Sequence, residues 1–223
     1  MKLFRFLPLL LAALLCLGML AGCSRRDTAE ESSQSESSQP EIEEPKGYVR
    51  GVWEDGVFEN EYIGLGFSLP EGWVAATEEE MLNSMSLGAD LLSDQQRVKA
   101  AVARLTSVYD TTITNLAEQC SLSIMAENLT MSLGGTSLDE QSYAELMARQ
   151  LEETSLPYTI GETAERTVAG EIYCLLPASV DNMPTAQWML FRRVEDYMVT
   201  IVASFPDTAQ ESIEALLDSM TAV

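Results

Sequence analysis

Leu20, Ala21, Gly22 and Cys23 are the residues of this chain whose types and spacing mark out covalent chemistry. Ala21 and Gly22 are small enough to let a peptidase approach the backbone, and Cys23 supplies a thiol nucleophile. Elsewhere reactive groups are sparse. The sequence holds no histidine, which removes Ser-His and Cys-His pairs and the commonest metal ligand. Past residue 46 the only lysine is Lys99, next but one to Arg97, so a Ser-Lys dyad would have to rest on it. Acids are abundant enough to supply a carboxylate pair for glycoside hydrolysis, though no spacing marks one out. The turns Glu54-Asp55-Gly56 and Asp181-Asn182 offer oxygen ligands to Ca²⁺ but lack the spaced Asp-x-Asp-x-Asp-Gly loop of a tight site. Leu133-Gly134-Gly135-Thr136 has two glycines and no following lysine, so a phosphate cradle fails. The expectation is no catalytic residue, no metal and no cofactor, with an acidic-site hydrolase and a calcium-binding module as the alternatives.

The residues before Cys23 decide how it is presented. Lys2 and Arg5 form a short basic region, and Phe6 to Leu20 is almost wholly apolar, the layout of a secretory signal peptide. The run is at the short edge of the roughly 17–25 residues that span a bilayer. Leu20-Ala21-Gly22-Cys23 resembles the lipobox of bacterial lipoproteins at all four positions. The resemblance implies recognition of Leu20, Ala21 and Gly22 by a signal peptidase, thioether lipidation of Cys23, and cleavage between Gly22 and Cys23. The alternative is an uncleaved helix with a buried cysteine, against which stand Ser24, Arg25, Arg26 and the polar tract behind them. A diacyl anchor has two chains, and burial contributes about 0.8 kcal/mol per CH₂, so it holds where one chain would be marginal. Arg25 and Arg26 either sit at the headgroups, adding about 1 kcal/mol each against anionic lipid, or are simply solvated.

From Ser24 to Lys46 the composition turns to Ser, Gln, Glu and Pro, with Ile42 the only large aliphatic. Such a segment buries too little apolar surface to offset its ordering entropy and is expected to be disordered. As a flexible coil it spans about 25–30 Å. The organisation is therefore a leader at 1–22, a lipidated cysteine and tether at 23–46, and one domain at 47–223. The expected location is the cell membrane, facing outside the cytoplasm, held by the Cys23 lipid anchor.

The formal charge of −22 is nearly all carried after Gly47. Phosphate binding needs a clustered basic surface, so nucleic acid is not an expected partner. Cationic ligands or basic partners are electrostatically permitted, although solubility alone accounts for such a charge. Cys16 leaves with the leader and Cys23 is capped, so Cys120 and Cys174 remain. Both fall in strand-like segments of an exported domain, where they either form a disulfide or stay as two buried thiols.

Along the domain, Val52-Trp53 and Val57-Phe58 flank Glu54-Asp55-Gly56 as a hairpin. Ile63, Leu65, Phe67 and Leu69 alternate with small or polar residues as a one-faced strand, which Pro70-Glu71-Gly72-Trp73 ends in a turn. Trp73 is expected as a core or lid residue over the sheet, with ligand stacking as the alternative. Thr77, Ser93, Ser137 and Thr208 each open a helix-start pattern, with Gly88 a break. Leu105 to Thr114 reads as a strand or as an extension of the preceding helix, and Cys120 to Asn128 as its partner strand. Tyr143, Leu146, Met147 and Leu151 make an apolar helical stripe. Tyr158–Ile160 and Glu165–Val168 read as an edge strand broken near Gly161, followed by strands at Glu171–Val180, Gln187–Arg193 and Tyr197–Phe205. Apolar residues on both faces place the last of these centrally. A terminal helix carries Ile213, Leu216, Leu217 and Met220.

Phe58-Glu-Asn60 leading to Gly66-Phe67-Ser-Leu-Pro70-Glu-Gly72-Trp73, with the closing hairpin and last helix, resembles the PsbP-like and DcrB-like families and lipoproteins of Firmicutes. The resemblance implies an α+β fold, a central antiparallel sheet of about six strands with helices on both faces. It carries over no catalytic residue, and the stretch Leu87 to Arg104 is longer than the simplest members need. The functional expectation is a non-catalytic binding or accessory module for an envelope protein or ligand.

Overall fold

The computed structural model describes residues 47–87, 95–181 and 183–223. The leader, the Leu20 to Cys23 motif and the tether lie outside the described residues, as do Gly88, Ser93, Asp94 and Asn182. Among the described residues no helix is long and apolar enough to cross a membrane.

Strands β1 (Val52–Glu54) and β2 (Val57–Asn60) form the expected hairpin. Asp55 at φ 48° and Gly56 at φ 80° close it, the left-handed pair that a two-residue hairpin turn requires. β3 (Leu65–Ser68) pairs with β2 and completes a small sheet of three strands. β4 (Val74–Ala75), α1 (Glu78–Ser84) and α2 (Gln95–Val102) follow. Next come β5 (Ser107–Asn115) and β6 (Cys120–Asn128), so the segment after Leu105 is a strand and does not extend the helix. Two 3₁₀ turns, Leu129–Met131 and Gly135–Ser137, lead to α3 (Glu140–Glu152). The chain closes with β7 (Tyr158–Ile160), β8 (Ala164–Val168), β9 (Glu171–Val180), β10 (Ala186–Val194), β11 (Tyr197–Phe205) and α4 (Gln210–Asp218).

The main sheet runs β4-β5-β6-β11-β10-β9, with β7 and β8 both on the outer edge of β9, and every pairing is antiparallel. It thus has eight strands where the family resemblance implies about six. Two short pieces account for the excess: β4 is two residues long, and the edge broken near Gly161 is two separate strands. All nine residues of β11 are buried, as a strand covered on both faces must be. One face packs Ile113, Ile124, Leu190 and Ile201 against α4 and the small sheet, through Leu217, Phe58 and Phe67. The other face packs Leu176, Met189, Phe191 and Val202 under α3, through Tyr143, Met147 and Leu151. The fold is α+β with helices on both faces, but few of them. Trp73 is buried in the first of these cores.

Two expected caps differ. Thr77 makes the full capping box with Glu80. α3, however, is capped by Asp139, whose carboxylate accepts from Ser142 N at 2.8 Å, while Ser137 sits in the preceding 3₁₀ turn, bonded to the Gly134 carbonyl. Thr208 likewise lies in a 3₁₀ turn, Asp207–Ala209, and α4 begins without a side-chain cap. In both places the chain tightens into a 3₁₀ turn before the helix, which displaces the start past the expected residue.

Candidate functional site

Asp110 is the chemical centre of the folded body. β5 and β6 lose register between Tyr109 and Thr111, so Asp110 is the extra residue of a β-bulge, a device that re-aims a side chain. The residue is 2% exposed. Oδ1 accepts from the Gly51 backbone N–H at 2.7 Å, and Oδ2 accepts from Asn60 Nδ2 at 2.7 Å and from the Tyr48 hydroxyl at 3.0 Å. Arg50 donates to the Asp110 carbonyl at 3.1 Å and pairs with Glu78 at 2.6 Å. Burial pushes the carboxyl above its usual range, opposed by the bonds from Asn60, Gly51 and Tyr48 and by the Arg50 charge. The Tyr48 hydroxyl is held well above its usual value by burial and then by Asp110.

The same cluster fastens the start of the domain. Tyr48 N donates to the Tyr197 hydroxyl at 3.1 Å, and the Tyr48 ring lies 5.2 Å from Tyr62 and 5.4 Å from Tyr197. Gly51 lies so close to Phe58 that an added Cβ would meet its ring at 2.4 Å. Asn60 Oδ1 takes the backbone N–H groups of Tyr62 and Ile63. A carboxylate that accepts three hydrogen bonds and is this enclosed is out of a substrate's reach; it serves as a clamp. Asp110, Tyr48 and Arg50 carry no motif in the sequence, and Asn60 stands there only in the stretch that bears the family resemblance. The available signal was an acid inside the strand-like run Val108-Tyr-Asp-Thr-Thr112.

The open concavity lies elsewhere, between the start of α3 and the β8–β9 hairpin. It encloses about 490 Å³ and is lined by Asp139, Glu140, Gln141, Glu165, Ile172 and Cys174 among others. Glu140 accepts from Arg193 N at 2.9 Å, and Asp139 is held low by its bonds to Ser142, so both acids are committed to backbone donors. The Cys174 thiol reaches Gln141 Oε1 at 3.6 Å. Burial, then the charges of Glu140, Asp139, Glu145 and Glu165, push it up, which keeps it protonated and a poor nucleophile. The groove can therefore attract a cation, and nothing in it is poised to attack one.

Cys120 and Cys174 are both free. They sit on β6 and β9 with β11 and β10 between them, and the strand registers place them about 20 Å apart from strand and residue spacings, far beyond the roughly 7 Å that a disulfide tolerates. The Cys120 thiol is pushed up to about 11 by burial and then by Glu118. Lys99 lies in α2. Glu54-Asp55-Gly56 is the β1–β2 turn, and Asp181 accepts from Thr159 Oγ1 at 2.9 Å. Among the described residues no three His, Cys, Asp or Glu side chains converge to hold a metal. Leu20, Ala21, Gly22 and Cys23 are outside them.

No family model and no curated protein matches the chain. Among solved structures it is similar to the solution structure of cyanobacterial PsbP (CyanoP) from Synechocystis sp. PCC 6803, at 14% identity and a TM-score of 0.46, covering 81% of this chain and 100% of that one.

Proposed function

We propose that this chain is a lipid-anchored module on the outer side of the cytoplasmic membrane that assists an envelope component by binding it and not by transforming it. The groove beside α3 carries the reading: it is open and acidic, its thiol is held protonated, and Asp139 and Glu140 are already bonded to backbone donors. Such a surface suits a lysine- or arginine-bearing segment of a partner, with charge setting specificity and encounter rate. The buried carboxylate Asp110, the other candidate for acid–base work, is spent on the clamp. The motif at Leu20 to Cys23 supplies the anchor.

A photoreactive side chain at Ile172, 61% exposed on the rim of the groove, tests the reading in cells. It should capture a discrete envelope component, and Glu165→Lys should diminish the capture. Capture at Ile172 no better than at Leu116 in the β5–β6 turn, joined with reproducible substrate turnover by the purified protein, would reverse the assignment.

A further inference from the structure

The tether reaches the folded body at one end of the main sheet, and that end also carries a braced loop with apolar tips. Tyr48 N and Asn128 Nδ2 both donate to the Tyr197 hydroxyl, at 3.1 and 3.2 Å. Asn128 opens the loop that runs to Asp139, and Leu129 N donates to the Asp196 carbonyl at 2.8 Å. The first residues after the tether and the loop are therefore two hydrogen bonds apart.

The loop is held from behind. Arg193 donates to the Thr136 and Leu138 carbonyls at 3.0 and 2.9 Å, and Ser132 donates to Glu127 at 2.8 Å. An added Cβ at Gly135 would meet the Leu129 carbonyl at 2.4 Å. Yet Leu133 stands wholly in the open at 109% exposed, Met131 is 50% exposed with its sulfur accepting from Thr106 Oγ1 at 3.9 Å, and Val49 near the start of the described chain is 53% exposed. Single exposed apolar residues are ordinary. Here a loop braced by five hydrogen bonds offers them at the end of the body where the described chain begins.

We infer that the Met131–Leu133 loop docks on the lipid bilayer, its apolar tips entering the interface while the tether holds the body at the surface. The inference rests on the anchoring reading given above. An anchor at Cys23 would keep the loop at high effective concentration over the membrane, so a small apolar contact suffices. Glu195 and Asp196, exposed at the same end, repel anionic lipid over about a Debye length. Docking is accordingly stronger on neutral lipid, and salt strengthens it on anionic lipid, the reverse of a polybasic anchor.

The test uses the chain from Ser24 onward, held on phosphatidylcholine vesicles by an added histidine tag and nickel-chelating lipid. Leu133→Trp should gain a blue-shifted, brominated-lipid-quenched component over the native tryptophans; Leu116→Trp, at the far end of β5, should not. Adding Met131→Ser to Leu133→Trp should lower the quenching about threefold or more. Equal quenching at both positions, quenching at neither, or a shift of Leu133→Trp seen only when membrane proteins are present would overturn it. Because the tag replaces the natural anchor, failure here sinks the docking alone, whereas an unacylated Cys23 in the native protein sinks the anchoring reading.

Discussion

Asn60 and Asp110, which lie 50 positions apart in sequence, meet through a 2.7 Å hydrogen bond that joins the small sheet to the main one. Asn60 also binds the turn behind it, and Asp110 the segment Tyr48 to Gly51 before it. Removing the carboxylate takes the acceptor from the buried Tyr48 hydroxyl and the part-buried Gly51 N–H, while Asn60 Nδ2 keeps 3.2 Å contacts to the Tyr48 hydroxyl oxygen and the Val49 carbonyl. Asp110→Ala should cost about 3 kcal/mol, and Asp110→Asn, which keeps the shape and one acceptor, about 1–2 kcal/mol. Urea unfolding measures both, and hydrogen exchange of residues 48–51 should accelerate before the rest of the sheet.

The pH dependence of that loss has an unusual sign. The folded Asp110 carboxyl lies above its ordinary value because of burial, so the folded state holds the proton more tightly than the unfolded chain, near about 3.9. Its ionisation therefore costs stability above the folded value, and the cost fades as pH falls from there through the unfolded value. The advantage of the wild type over Asp110→Asn should widen on acidification across that window. Glu80, held low by its bonds to Thr77, behaves oppositely: its contribution is present above the unfolded value and is lost as pH falls through the folded one. As the pH is lowered from about 7 to about 3, the denaturant midpoint of Asp110→Asn should fall further behind the wild type, while that of Glu80→Gln should close on it.

The start of α3 separates two candidate caps. Asp139→Ala removes the N-cap acceptor of Ser142 N and should lower the unfolding midpoint, whereas Ser137→Ala should leave it nearly unchanged. Thermal or urea denaturation of the two variants decides it, and a larger loss at Ser137 would contradict the observed start.

Much of this architecture is written in local pattern. Glu171–Val180 and Tyr197–Phe205 have the same bounds in pattern and in structure, because long β-branched and aromatic runs between turn residues admit few alternatives. The Asp55-Gly56 turn and the Thr77 capping box are equally local, each needing only residues within a few positions. β4 is too short to show a period, and the two 3₁₀ turns shift helix starts through contacts that capping patterns do not record. The clamp was hidden for a different reason. Asp110 is buried by a bulge, and its partners lie 50 to 62 positions away, so no window on the sequence brings them together. The groove is likewise an accident of two distant segments, α3 and the β8–β9 hairpin, meeting across β9.

The thiols give a further check. With Cys120 and Cys174 about 20 Å apart by strand spacing, the oxidised native domain should bind two equivalents of an alkylating reagent on unfolding and contain no internal bridge. In the folded state Cys174, only half-buried, should react before Cys120, and both slowly near neutral pH since both thiols are held protonated. A bridged peptide found by mass spectrometry would contradict the strand order.

The anchor is the premise on which the binding role and the docking loop both stand, and intact-mass measurement of the protein extracted from its native membrane tests it most directly. The account predicts a chain that starts at Cys23 and carries a diacylglyceryl group on that thiol. A chain that retains Met1 to Gly22, or that starts at an unmodified Cys23, would contradict it.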